Sequence, residues 1–73
     1  MHEQIRDAIK RAAATDQKIA MFHYQVLANA SALRSVDPSE FCLAVGVPKS
    51  YQTEFRKMLA LAHLMIEQGV KLA

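Results

Sequence analysis

Cysteine, glycine and proline are all scarce in this chain of 73 residues: one, two and two respectively. The lone Cys42 rules out an intramolecular disulfide and fits a reducing compartment. Few glycines and prolines, with 52% hydrophobic residues, argue against disorder and suit compact packing. Long apolar runs are missing as well. None approaches the roughly 20 residues needed to span a bilayer. The opening MHEQIRDAIKRAAA carries charge throughout, where a secretory signal would carry an apolar stretch. No repeat, linker, phosphate loop or dinucleotide glycine pattern is present. These absences lead to an expectation of one cytoplasmic domain over residues 1–73, with no membrane partner.

The formal charge is +2. All of the surplus lies in residues 1–36, where Arg6, Lys10, Arg11, Lys18 and Arg34 outnumber Glu3, Asp7 and Asp16; residues 37–73 balance. Affinity for nucleic acid is largely phosphate electrostatics, so this balance points to a modest binder or to a dimer that pools two patches. Much of the apolar content is alanine, which gives little core volume. A domain of this size buries only about 60% of its unfolded surface, so self-association would help it.

Apolar periodicity predicts an all-α fold, a compact bundle of about four helices. In the first, residues 2–14, Ile5, Ala8, Ile9 and Ala12 recur at helical spacing. Thr15–Asp16 offers an N-cap for the second, unless the two run through as one long bent helix. The second, about 17–33, places Ile19, Phe22, His23, Val26, Leu27, Ala30 and Leu33 on one arc. Asp37, Pro38 and Glu40 then form a strong start signal for a third helix over 38–45: N-cap, first-position proline and an acid in the first turn. Gly46 is the residue type that ends a helix at positive φ. Pro48 fits the first turn of a fourth helix over 49–68, closed by Gly69.

The stretch EFCLAVGVPKSYQTEFRKML resembles the helix-turn-helix of small bacterial transcription regulators. Phe41, Cys42 and Val45 match inward positions of the family's first helix. Gly46 matches the turn glycine, Val47 the apolar turn residue and Phe55 an inward position of the second helix. The resemblance implies a unit with helices at 38–45 and 49–68 joined by a turn at 46–48, and double-stranded DNA as partner. One departure is Gln52, which stands where the family carries an aliphatic residue; Tyr51 is the alternative inward residue, and that exchange would rotate the helix about its axis.

DNA readout needs donors, acceptors and small residues near the start of the recognition helix. Gln52, Thr53 and Arg56 suit base edges, while Lys49, Ser50, Lys57 and the first-turn amides suit phosphate. Glu54 and the locally neutral charge weigh against that reading. Leu61 and Leu64 fall off the main apolar arc of the same helix. Either they pack on the first helix within one chain, or they form a two-fold homodimer face.

No catalytic constellation stands out. His2, His23 and His63 are scattered, and His23, on the apolar arc, reads as a partly buried core histidine. His63 and Glu67, four apart, make too few ligands for a metal site. Cys42 reads as a packed thiol. No enzyme activity, cofactor or metal is expected. The alternative to a DNA-binding transcription regulator is a helical protein-interaction module, such as an anti-activator, antitoxin-like partner or adaptor. Its adhesive surface would be Met21, Tyr24, Leu61 and Leu64.

Overall fold

A computed structural model describes residues 1–71 and contains five helices and no strand among them. They are α1 (His2–Ala13), α2 (Lys18–Ala28), α3 (Ala30–Leu33), α4 (Pro38–Val45) and α5 (Tyr51–Glu67). The all-α bundle read from the periodicity is the one found, with two local differences.

The first concerns Thr15–Asp16, which closes α1 instead of capping α2. Asp16 takes φ 63, its amide donates to the Ala13 carbonyl, and the Gln17 amide reaches back to Ala12 at 2.9 Å. This pairing is a Schellman stop, in which a left-handed residue satisfies the last carbonyls of a helix. The Thr15 hydroxyl adds a third bond, to the Ala12 carbonyl at 3.2 Å. Gln17 is left as N-cap of α2 without a side-chain bond. The left-handed residue separates the helices, so they do not run on as one.

The second is a break in the helix expected over 17–33. Asn29 leaves helical geometry at φ −111, ψ 19. Both its amide and its side-chain Nδ2 bond the Gln25 carbonyl, at 3.1 and 2.8 Å. A short amide side chain that competes for a backbone acceptor weakens helix continuity. The chain restarts as the four-residue α3.

Around α4 the sequence signals are realised. Asp37 accepts from the Ser39 and Glu40 amides, each at 3.1 Å, and from the Ser39 hydroxyl at 2.6 Å. Gly46 takes φ 74 and forms the same Schellman pair, with Val47 N–H on Cys42 and Gly46 N–H on Leu43. A turn over Pro48–Ser50 leads into α5, which begins two residues later than the expected 49. Gly69 closes α5 the same way, with Val70 N–H on Met65 at 2.8 Å.

Three phenylalanines knit the helices together. Phe22 of α2, Phe41 of α4 and Phe55 of α5 are fully buried; Phe41 lies 4.8 Å from Phe55 and 5.9 Å from Phe22 between ring centroids. Burying a side chain of this size contributes about 1.5–3 kcal/mol. Ile5 and Ile9 of α1, Val26, Leu33 and Val45 fill the remainder. The His2 ring meets Phe41 edge-on at 5.3 Å, and its Nε2 is buried without a partner. α1 packs on α2 and α4 but does not reach α5, which rests on α2, α3 and α4.

Candidate functional site

The α4–turn–α5 unit positions the candidate site. Phe41, Cys42 and Val45 anchor α4 in the core, Val47 plugs the turn, and Phe55 anchors α5. Tyr51 takes the inward place at the start of α5, its ring 5.1 Å from Phe22 and edge-on. Gln52 is therefore turned to the flank, half-buried beside Leu43, Val47 and Lys49. The departure from the family pattern thus costs no core contact, because the neighbouring residue supplies it.

Thr53, Arg56 and Lys57 stand exposed along α5, and Lys49 and Ser50 lie exposed in the turn before it. These are the residues selected from the sequence, all within the turn and the first two turns of α5. Two details differ. First, the amides of Tyr51 and Gln52 already donate to the Pro48 and Lys49 carbonyls, so those first-turn donors are committed. The Ser50 hydroxyl makes no capping bond and stays available. Second, Lys57 Nζ lies 3.6 Å from Glu54 Oε2, which partly commits that cation.

Glu54 itself does not face the same way. At about 100° per residue it sits roughly 160° around the helix from Arg56. Its carboxylate accepts a 2.8 Å hydrogen bond from His23 Nε2 of α2. An ionised carboxylate can only accept, so His23 carries the proton on that nitrogen. This bond first, and Lys57 second, hold the Glu54 carboxyl below its ordinary value. The acid that counted against DNA is thereby half-buried and paired. His23 is half-buried, as expected, and additionally bridges residues 31 apart, a link that no local pattern announces.

Arg56 is exposed on α5. The Asp37 carboxyl is held low by the Ser39 hydroxyl first, then by main-chain amides, with Arg56 contributing at longer range. No carboxylate lies within 4.0 Å of Arg56 among the described residues.

Leu61 and Leu64 are 38% and 51% exposed. Packing on α1 within one chain, one of the two outcomes read from the sequence, does not occur, because α1 lies across α2 and α4, away from α5. Leu43 of α4 is 83% exposed and was not singled out by periodicity, since α4 is too short to define a face. With Cys42, Val47, Lys49 and Gln52 it borders a groove of about 290 Å³. Burial raises the Cys42 thiol above its ordinary value, as befits a packed side chain. His63 lies 3.7 Å from Glu67 on the surface; no group of three metal-ligating side chains occurs among the described residues. No helix among the described residues is long and apolar enough to cross a membrane.

A family model described as an HTH-like domain matches residues 1–72. No curated protein and no solved structure matches the chain.

Proposed function

The chain belongs to the HTH-like domain family, and from that premise we propose that it is a DNA-binding transcription regulator. On this reading the N-terminal half of α5 enters the major groove. Thr53 and Arg56 meet base edges, Gln52 reaches in from the flank, and Lys49, Ser50 and Lys57 hold phosphates. The observation that supports it best is the arrangement of charge on α5: Arg56 stands exposed with no carboxylate within 4.0 Å among the described residues, while Glu54 is paired with His23 of α2 and with Lys57. The protein acts by binding, without catalysis or cofactor, in the cytoplasm. Leu61 and Leu64 serve a homodimer that presents two recognition helices.

Titration of a labelled mixed-sequence duplex tests this. Binding should weaken steeply between 50 and 200 mM salt. Arg56→Ala should cost about 1–3 kcal/mol in affinity at a bidentate guanine contact and leave the fold intact. A chain that leaves duplex DNA unbound at low salt refutes the proposal.

A second reading rests on Leu43. So exposed a leucine, beside an apolar groove in the helix-turn-helix itself, suits a protein-interaction module that keeps the shape without DNA. Leu43→Ser separates the two: it abolishes partner binding in this case and leaves duplex affinity nearly unchanged in the first.

A further inference from the structure

The surplus positive charge of residues 1–36 is not spread evenly over the surface. Arg6 and Lys10 of α1 and Lys18 at the start of α2 border one groove of about 180 Å³, together with Val45 and Gly46 at the end of α4. No acidic residue lines it among the described residues. The helix-turn-helix, neutral in its own sequence, thus receives three cations at its turn from elsewhere in the fold.

Their local partners do not account for the arrangement. Arg6 Nε meets only its neighbour Asp7, at 3.9 Å between half-exposed side chains, a pair of little energetic weight. Neither Lys10 nor Lys18 has a carboxylate within 4.0 Å among the described residues. None of the three donates a hydrogen bond to the carbonyls ending α4. Lys18 lies in the first turn of a helix with no acid there, where the helix dipole disfavours a cation. Its one compensation is the Tyr51 ring, 5.7 Å from Nζ. Tyr51 is the first residue of α5, so Lys18 connects the rim of the groove to the start of the recognition helix.

We infer that this groove is a phosphate clamp for the DNA backbone, in which Lys10 and Lys18, assisted by Arg6, hold phosphodiesters of the strand flanking the major groove entered by α5. The inference rests on the DNA reading and extends it to a second element. The whole molecule measures 33 × 25 × 20 Å, so the clamp and α5 fit within one duplex turn of about 34 Å. Contacts of this kind fix register without reading sequence.

The test measures anisotropy of labelled duplexes of two unrelated sequences across 50–200 mM salt. The unsubstituted protein is compared with a Lys10→Gln, Lys18→Gln double variant. An Arg34→Gln, Lys71→Gln double variant controls for the same loss of net charge away from the groove. Two lost phosphate contacts reduce the log–log salt slope by about 1.8 and lower affinity on the order of tenfold per lysine at 50 mM salt. The loss should be equal on both sequences, with helicity unchanged and the control variant much less affected. Equal weakening by the two double variants overturns the clamp, as does an unchanged slope in the groove variant; in both cases the DNA reading stands. Failure of the unsubstituted protein to bind either duplex overturns the DNA reading and the clamp together.

Discussion

Glu54 Oε1 lies 2.8 Å from His23 Nε2, across the contact between α5 and α2. The bond helps fix the rotation of α5 about its axis, together with Tyr51, one turn earlier on the same side of the helix, whose ring packs against Phe22 of α2. Which side chains of α5 face solvent is therefore set jointly by one polar and one aromatic contact.

Acid should reveal both this bond and the α4 cap. Glu54 and Asp37 are held below their ordinary carboxyl values, chiefly by His23 and by the Ser39 hydroxyl respectively. A depressed native value means that the unfolded chain binds protons first. Their stabilisation is thus complete above the carboxylate range, about pH 4, and is lost as pH falls through the native values. Denaturation midpoints between pH 2 and 7 should show that decline, flattened in the Glu54→Gln, Asp37→Asn double variant. An undiminished decline in that variant would assign the acid sensitivity to other carboxyls.

Backbone handedness gives two substitutions of opposite sign. At Gly46, an added Cβ meets nothing within 4 Å, so Gly46→Ala costs only the left-handed backbone, about 1–2 kcal/mol. Asp16 already bears that strain at φ 63, and Asp16→Gly relieves it, for a gain of up to about 1 kcal/mol. Urea midpoints should move down and up respectively. Movement in the same direction would contradict the assignment.

The unpartnered Nε2 of His2, buried against Phe41, carries a desolvation cost without a compensating bond. His2→Phe keeps the edge contact and removes the polar atom, and should stabilise the fold by about 1 kcal/mol. A loss of stability would show that the nitrogen is satisfied by ordered water.

If Leu61 and Leu64 form a homodimer face, Leu64→Glu should halve the mass measured by sedimentation. Because Leu64 is exposed, helicity should be retained, as for most surface substitutions. An unchanged mass removes the proposed face.

How much of this was legible in the sequence divides by range. The start at Asp37–Pro38 and the stops at Gly46 and Gly69 rest on residues whose own chemistry sets the backbone, and all three appear where they were read. Asp16 and Asn29 escaped because aspartate and asparagine suit caps, turns and left-handed positions alike; only the surrounding bonds decide among them. The His23–Glu54 link and the basic groove escaped for a different reason. Each joins elements far apart in the chain, and helical periodicity carries no information about which faces meet.

Cys42 offers a practical consequence. Its side chain is 2% exposed, its thiol is raised by burial, and it is the chain's single sulfhydryl. With so little of it exposed beside the groove, a maleimide or disulfide reagent should react with it slowly unless α4 lifts from the core. Labelling followed by mass spectrometry therefore becomes a one-site clock for opening of the helix-turn-helix. A bound duplex that slows the clock would report how tightly DNA and the integrity of this unit are linked, without any engineered probe.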